Sequence, residues 1–414
     1  MLNKMKIMII SSLYGVNGGG AGIIAHHIAH GLASVGHQVS VLTLDRVQGS
    51  SKTEEQGIKV YGFQPANLYP LEEKDQHPTW QKLIWQLLDI YNFHSARVVH
   101  KVLSNELPDI IHIHKMRGFS GAVWTVAARL LPGRVIQTCH DYESMSPDGL
   151  LRGSIGRMAL HKQWPVRGYQ LIRARLSEGV SAVTAPSTFA LKRITESGLF
   201  PFAEMKVISN THGWSRRELH SIQQSSIQPG TGEIRFLFLG RLELEKGIIE
   251  LCEAFWQAFD LQPSIRLDIA GSGSLEKVLR KKYAEHPAFN FLGLVDGKSK
   301  QDAISRTNVV VMPSLVDEVF GITAVEAFAF SKPVIASNRG GLPELVKLRE
   351  TGWLVEAGNI PALAELIVRV AESTPALLTK MGDNCRKFSQ EFSLERVLTE
   401  YENIYDKLMK RTSQ

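Results

Sequence analysis

The chain has 414 residues, of which 44% are hydrophobic and 21% charged, values close to globular averages that exclude a disordered or fibrous protein. No apolar stretch approaches the roughly 20 residues of a membrane span, and the N-terminal residues run into a strand pattern instead of forming a secretory signal. The formal net charge is +6, and three widely spaced cysteines, Cys139, Cys252 and Cys385, indicate reduced, buried thiols in a cytoplasmic protein.

The first half of the chain alternates strand and helix signals. Apolar runs at residues 6–10 and 39–44 flank a segment with helical apolar spacing at residues 22–33. Further apolar runs follow at residues 108–114, 134–138 and 180–185. Fully apolar strands separated by helices predict a parallel sheet that is covered on both faces.

A second set of strands follows a polar segment at residues 220–233, which has the composition of a linker. Its apolar runs lie at residues 234–240, 265–270, 289–294, 309–313 and 333–337. The sequence therefore predicts two doubly wound α/β domains in series, with ligands at the carboxyl ends of their strands and a cleft between them. An amphipathic helix is predicted at residues 389–411.

A glycine-rich segment, SSLYGVNGGGAG at residues 11–22, follows the first strand. Its glycines would let the backbone approach a ligand, and the following helix N-terminus favours a phosphate. A dinucleotide fingerprint is one alternative, since Asp45 lies downstream, but seven residues separate Ile10 from Gly18, whereas fingerprint glycines follow the strand at once. A longer loop reaching across a cleft fits this spacing better, and a plain flexible turn is the other alternative.

The segment FLGRLELEKG, residues 238–247, places Arg241 and Lys246 just past a strand end. A planar guanidinium and a mobile ammonium can together clamp a diphosphate, although two such residues are often merely solvated. The histidines of DIIHIH, residues 109–114, are expected in the core or at the strand end, because a metal site needs more ligands.

The segment MPSLVDEVFGITAVEAFA, residues 312–329, is the strongest site signal. A helix is predicted from about Gly321, so the backbone N–H groups of Phe320, Gly321 and Ile322 would face an anion at its N-terminus. Glu318 lies in the loop and Glu326 in the early helix, and each carboxylate could hold the vicinal diol of a ribose or hexose.

From residue 240 to residue 344 the chain resembles a retaining glycosyltransferase of family 4, of the two-Rossmann-domain type called GT-B. The matching segments are GRLELEKG (240–247), IAGSGSLE (269–276), FLGLV (291–295), PSLVDEVFGITAVEAFAFSKPVIAS (313–337) and NRGGLPELV (338–346). The N-terminal half resembles the family more loosely, through the glycine-rich segment, DIIHIH (109–114), TCHD (138–141) and VISNTHG (207–213).

The resemblance implies a role for each matching residue. Glu326 would bind the nucleotide ribose, Glu318 the hydroxyls of the donor sugar, and Arg241 and Lys246 the departing diphosphate. The other implied donor contacts are the backbone of Phe320, Gly321 and Ile322, the backbone around Leu294 at the base, Gly19 and Gly20 from the opposite domain, and His140 beside the sugar. The implied domains are an acceptor-side domain at 1–225, completed by the helix at 390–414, and a nucleotide-sugar domain at 226–389.

The same resemblance implies a hexose transfer with retention, by front-face attack, from a nucleotide-diphosphate sugar that is best taken as UDP-glucose. No Asp-x-Asp occurs in the chain, so Arg241 and Lys246 would replace a metal, and neither a metal nor another cofactor is expected. The implied setting is polysaccharide biosynthesis. The alternatives are a nicotinamide-dependent oxidoreductase, a sugar-nucleotide epimerase or hydrolase on the same fold, and a catalytically silent carbohydrate-binding protein.

The acceptor is expected to be a glycan or a lipid-linked saccharide, with the poorly periodic residues 61–80 as an acceptor loop. Residues 1–225 carry 24 Lys/Arg against 16 Asp/Glu, a net charge of +8. Six basic residues occur without an intervening acid between Asp148 and Glu178, namely Arg152, Arg157, Lys162, Arg167, Arg173 and Arg175. A peripheral contact with an anionic membrane, at its cytoplasmic face, is therefore a hypothesis, whereas no motif predicts a nucleic acid partner.

Overall fold

Two separate α/β units make up the chain in a computed structural model that describes residues 4–15, 18–45, 50–70, 73, 77–146, 164–225 and 232–412. The first unit comprises Met1–Gly213 and Leu394–Gln414, and the second comprises Trp214–Ser393. The division falls after Gly213 and not at residue 225, because residues at the start of the predicted linker form a helix whose Leu219 is buried in the core of the second unit.

The first unit contains an eight-stranded sheet in the order β3-β4-β2-β1-β5-β6-β7-β8. Its strands are β1 (Lys6–Ser11), β2 (Gln38–Leu44), β3 (Ser50–Glu55), β4 (Ile58–Phe63), β5 (Ile110–Lys115), β6 (Val135–Thr138), β7 (Ala182–Ala185) and β8 (Glu204–Val207). Every neighbouring pair is parallel except the edge hairpin of β3 and β4. The sheet therefore has the buried, mostly parallel character that the apolar runs predicted.

Helices connect the strands of this unit. They are α1 (Gly19–Ser34), α2 (Thr79–Leu88), α3 (Phe93–Glu106), α4 (Ala122–Leu130), α5 (Trp164–Leu176) and α6 (Thr188–Glu196). Strand β4 ends at Phe63 and helix α2 begins at Thr79, so both ends of the segment predicted as an acceptor loop are regular structure.

The second unit contains a six-stranded, fully parallel sheet in the order β11-β10-β9-β12-β13-β14. Its strands are β9 (Ile234–Leu239), β10 (Ile265–Ala270), β11 (Phe289–Gly293), β12 (Val309–Met312), β13 (Val334–Ser337) and β14 (Gly352–Val355). Its helices are α7 (Arg216–Ser225), α8 (Ile248–Leu261), α9 (Glu276–Tyr283), α10 (Gly297–Arg306), α11 (Ile322–Ala329), α12 (Leu342–Leu345), α13 (Ile360–Ala371) and α14 (Pro375–Ser389).

Two apolar layers, one on each face of this sheet, form the core of the second unit. Phe236 and Phe238 of β9 belong to the layer that contains α8 and α13, whereas Leu237 between them belongs to the layer that contains α11. This alternation is the two-residue period of a strand buried on both faces. The sheet therefore holds its strand ends, and the loops that follow them, on a rigid base.

The last helix, α15 (Leu394–Arg411), packs on the first unit. A Cβ atom on Gly31 of α1 would lie 2.6 Å from Leu398 Cδ1, so the glycine allows the two helices to approach closely. Tyr405 lies 2.7 Å from His112 Nδ1 through its hydroxyl, and Glu402 lies 3.1 Å from His37 Nε2. No helix within the described ranges is long and apolar enough to cross a bilayer.

Candidate functional site

The ion pair of Lys246 and Glu318 lies beyond the carboxyl ends of two neighbouring strands of the second unit. Lys246 ends the short 3₁₀ turn after β9, and Glu318 lies in the loop after β12. Lys246 Nζ donates to Glu318 Oε1 at 2.7 Å, and the Ser314 hydroxyl donates to the same oxygen at 2.5 Å. Two residues that the sequence singled out separately, 72 positions apart, are thus in direct contact.

Backbone contact between the two loops produces this pairing. Gly247 has a φ of +69°, and a Cβ atom there would lie 1.9 Å from the carbonyl oxygen of Pro313. Only glycine permits that approach. The N–H of Leu315 then donates to the carbonyl of Glu245 at 2.9 Å, which fixes the loop after β12 against the turn that carries Lys246.

The environment of Glu318 favours its charged form. Burial alone would raise the pKa of the carboxyl group, but the Lys246 ammonium and the hydrogen bonds from Lys246 and Ser314 outweigh it, so the pKa lies below its usual range. Glu318 is therefore a carboxylate at neutral pH, able to accept hydrogen bonds from hydroxyl groups.

A third loop, after β13, supports the backbone of Glu318. Gly341 donates its N–H to the Glu318 carbonyl at 2.7 Å. Gly340 has a φ of +61°, and a Cβ atom there would lie 2.4 Å from both the nitrogen and the oxygen of Glu318. Arg339 Nε also donates to Asp317 Oδ1 at 2.9 Å. The segment NRGG thus holds the backbone of the Glu318 loop.

Glu326 forms a second lysine–carboxylate pair in the same unit. It lies in the second turn of α11 and is 5% exposed. Lys300 of α10 donates to Glu326 Oε1 at 2.6 Å. A carboxylate accepts about four hydrogen bonds, so Glu326 retains acceptor capacity beyond this contact.

The remaining predicted residues of this unit differ in exposure. Arg241 is 64% exposed and donates to Glu245 Oε1 at 2.9 Å, and Leu294, just past β11, is 77% exposed. Phe320 is buried, Gly321 is the N-cap of α11 and Ile322 is its first residue. No side chain caps this helix and no acid lies in its first turn, so its N-terminus favours an anion.

The predicted glycine-rich loop of the first unit is partly helical. Helix α1 begins at Gly19, so Gly19 and Gly20 form its first turn and do not belong to a loop extending from the strand. The first turn of α1 packs closely on the chain after β1: a Cβ atom on Gly22 would lie 3.1 Å from the backbone of Leu13. The prediction of a loop through residue 22 is therefore wrong, whereas Gly19 and Gly20 lie at a helix N-terminus.

His140 belongs to a row of three histidines at the carboxyl ends of β5 and β6. His114 Nδ1 and His140 Nε2 lie 2.8 Å apart, and their rings stack at an interplanar angle of 11°. His112 is bonded through both nitrogens, to Tyr405 and to Thr138, each at 2.7 Å. Among the described residues, His140 Nδ1 and His114 Nε2 are buried atoms without a hydrogen-bond partner. His140 therefore has one nitrogen held by His114, while the Asn210 side chain interacts with the same imidazole.

Burial keeps these imidazoles neutral. It lowers the pKa of His112 to about 3, that of His140 to about 4, and that of His114 well below its usual value. Repulsion from His140 adds to the effect on His112, and the charge of Asp141 partly opposes it on His140. At neutral pH His140 is thus a hydrogen-bonding group and not a cation.

We expect these histidines to make stability depend on pH between about 6.5 and 4.5. An unfolded histidine titrates near 6.5, so below that pH the unfolded chain binds protons that the folded chain excludes, and stability falls with the pH. His112 alone accounts for a few kcal/mol at most, at about 1.4 kcal/mol per pKa unit. Thermal melting of His112→Gln should therefore show a smaller loss between pH 6.5 and pH 4.5 than the unsubstituted protein.

Asp89 acts in the opposite direction, because burial raises its pKa to about 7 and the folded state then gains protons in the same range. The test is therefore the difference between His112→Gln and the parent protein. His100→Gln, at an exposed position of α3, is the control and should leave the pH dependence unchanged. Equal slopes for the parent protein and His112→Gln would contradict a neutral, buried His112.

The basic run near residue 160 is not a uniform surface. Arg173 of α5 is 2% exposed, and its guanidinium lies 4.9 Å from the Trp124 ring centroid and 5.1 Å from that of Tyr169. Its inclusion in a membrane-facing set is therefore wrong, because it is part of the core. Arg167 and Arg175 lie in α5, whereas Arg152, Arg157 and Lys162 lie outside the described residues.

Both halves of the chain match known protein families. Residues 19–211 match the "Glycosyl transferase 4-like domain" and residues 221–388 match "Glycosyl transferases group 1". The chain is 26% identical to an uncharacterized 42.6 kDa protein in the cps region of Klebsiella pneumoniae, over 85% of this chain and 90% of that protein. It is also 26% identical to glycogen synthase of Mycobacterium tuberculosis, over 97% and 94% of the two chains.

The structure is similar to that of the Anabaena protein HepE, solved in complex with UDP-glucose. The TM-score is 0.66 at 18% sequence identity, and the match covers 97% of this chain and 100% of that chain. The likeness thus extends over both units.

Proposed function

Since the chain is a glycosyltransferase homologue with the two-domain GT-B fold, we propose that it transfers a hexose from a nucleotide-diphosphate sugar to a glycan or lipid-linked saccharide. UDP-glucose is the first donor to test, because HepE was solved with that molecule. The proposed setting is polysaccharide biosynthesis, which the relative in the cps region supports.

The two lysine–carboxylate pairs of the second unit are the observation that carries this proposal. In it, Glu326 accepts hydrogen bonds from the ribose diol and Glu318 from hydroxyls of the donor sugar. Each carboxylate is held by a lysine at 2.6 or 2.7 Å, so its position is fixed before a ligand arrives. The backbone around Leu294 would contact the base.

The proposed transfer breaks the bond between the anomeric carbon and the diphosphate and forms a bond from that carbon to the acceptor oxygen. Attack takes place on the face that the diphosphate leaves, so configuration is retained, and the acceptor proton passes to a phosphate oxygen. Negative charge develops on the diphosphate, where Lys246, Arg241 and the N–H groups of Phe320, Gly321 and Ile322 lower its energy. These cations take the place of a divalent metal in this mechanism.

The first unit contributes polar groups to the proposal. His140 Nδ1 would hydrogen-bond to a sugar hydroxyl, with the ring held by His114. The N–H groups of Gly19 and Gly20, in the first turn of α1, would bind donor oxygens. The net charge of +8 in residues 1–225 supports an acceptor or surface with negative charge, such as the cytoplasmic face of a membrane.

Nucleotide selectivity tests the proposal directly. We expect UDP to raise the melting temperature more than GDP, ADP or NAD, with EDTA present throughout, and release of UDP from UDP-glucose should follow in the same buffer. Glu326→Gln should weaken UDP binding by about ten- to a hundredfold, because a hydrogen bond to a charged group is lost.

Glu285→Gln, at an exposed position of the same unit, is the matched control and should bind UDP as the parent protein does. Stabilisation by GDP would keep the mechanism and change the donor. Stabilisation by NAD alone, or UDP binding that Glu326→Gln leaves unchanged, would contradict the proposal.

A further inference from the structure

A cluster of His26, His30 and Glu55 lies in the first unit, apart from the residues discussed above. His26 and His30 are one turn apart on α1, so they share a face of the helix. Glu55 ends the edge strand β3. Both imidazoles are mostly buried, whereas the Glu55 side chain is 49% exposed, so the cluster is reachable from solvent.

The three side chains present their donor atoms to a common point. Glu55 Oε1 lies 3.5 Å from His26 Nε2 and 3.8 Å from His30 Nε2, and one ligand atom from each residue lies within 4.8 Å of the others. Ligand atoms around tetrahedral zinc are about 3.3 Å apart, given bonds of about 2.0–2.2 Å. The atoms therefore need to converge by at most about 1.5 Å to surround an ion.

An ordinary histidine–glutamate ion pair does not account for the cluster. His30 Nε2 is buried and makes no hydrogen bond of normal geometry among the described residues, although Glu55 lies 3.8 Å from it and the Gln56 side chain interacts with the imidazole. The hydroxyl of Tyr14, whose ring lies 5.4 Å from that of His26, is also buried without a partner there. A buried nitrogen without a partner is costly, and a cation bound to it would remove that cost.

We propose that His26, His30 and Glu55 form a binding site for a divalent transition-metal ion of the zinc type. Two imidazoles and one carboxylate are a ligand set that suits zinc, with a fourth position left for water. Nitrogen donors disfavour magnesium and calcium, which take oxygen ligands. The ion would tie helix α1 to strand β3, close in sequence to the glycines that begin α1. A metal at this site departs from the expectation that the chain holds no metal.

The experiment titrates untagged full-length protein, stripped with EDTA and dialysed, with Zn²⁺ in competition with a chromophoric chelator. We expect each chain to bind one Zn²⁺ ion tightly. His30→Gln and Glu55→Gln should each weaken it by about 10–100-fold or more, because even an outer-shell partner is worth that factor. Co²⁺ should give the visible absorption of a four-coordinate ion in the parent protein and lose it in both variants, and Mg²⁺ should not compete.

His77→Gln is the matched control, because His77 Nε2 lies 3.6 Å from Glu73 Oε2 in a similar pair with a single histidine. It should bind zinc as the parent protein does. A thermal melt in EDTA shows whether each variant is folded. Because the Glu55 side chain is exposed, Glu55→Gln should fold and can test the site even if His30→Gln does not fold. Absence of a stoichiometric equivalent, or equal affinity in parent, His30→Gln and Glu55→Gln, would overturn the proposal.

Discussion

Replacing Lys246 by alanine should lower kcat for sugar transfer by about 10²–10³-fold, the range found when one preorganised group is removed from the site of developing charge. The substitution removes the ammonium proposed to face the departing diphosphate. It also leaves Glu318 without the cation that helps to hold its pKa below the usual range, so the carboxylate loses one of the two side-chain contacts that position it. Steady-state kinetics with UDP-glucose, or with whichever donor binds, measure the loss.

Lys282→Ala is the appropriate control. Lys282 pairs with Glu253 at 3.6 Å in the same unit, but the pair is solvent-exposed on helices α8 and α9, away from the loops that hold Glu318. Its removal should change kcat by less than about twofold, since exposed ion pairs contribute about 0–1 kcal/mol. Activity of Lys246→Ala within a few-fold of the parent enzyme would remove Lys246 from the mechanism.

Gly340→Ala should have the second large effect, about a 100-fold loss of transfer activity in a protein that remains folded. The new Cβ atom would lie 2.4 Å from the backbone nitrogen and oxygen of Glu318, so the Glu318 loop must move. Because backbone is displaced and not a flexible side chain, the shift carries Glu318 away from Lys246. Misplacement by about 1 Å is enough for a loss of this size.

Gly358→Ala separates this displacement from backbone strain. Gly358 also has a positive φ, +77°, but a Cβ atom there makes only an ordinary contact of 3.6 Å with Leu315. Both variants should lose stability by about 1–3 kcal/mol from the strained backbone, and only Gly340→Ala should lose activity. Comparable activity in the two variants would show that the Gly340 contact does not position Glu318.

Apolar runs were sufficient to predict the central strands and the α/β class, and the likeness to GT-B structures confirms the predicted fold class. Strand β3 escaped prediction because its sequence, SSKTEE, is polar, as an edge strand with one paired side allows. Residues 220–225 of helix α7 were taken for linker because they are polar, and Leu219 just before them is the one fully buried apolar residue of the helix among those described. In both cases tertiary packing determines the secondary structure, and the sequence shows little of the hydrophobic periodicity by which a strand or helix is predicted.

Some residues of the candidate site could be predicted from the sequence and others could not. Lys246, Glu318 and Glu326 stand out because the segments that carry them, at residues 240–247 and 313–337, resemble the family's motifs. Lys300, which holds Glu326 from helix α10, does not stand out, since a partner on another element has no fixed distance along the chain. A buried carboxylate needs a paired cation, so a buried Glu326 implies a lysine or arginine nearby, but this requirement does not identify Lys300.

The return of α15 to the first unit sets an order on biosynthesis. Translation makes the second unit, contiguous from Trp214 to Ser393, before it makes the residues of α15. A nascent chain of that length lacks the Tyr405 hydroxyl for His112, the Glu402 carboxylate for His37 and the leucine that packs over Gly31. The half that is synthesised first is thus the half that is completed last, once the residues of α15 have been made.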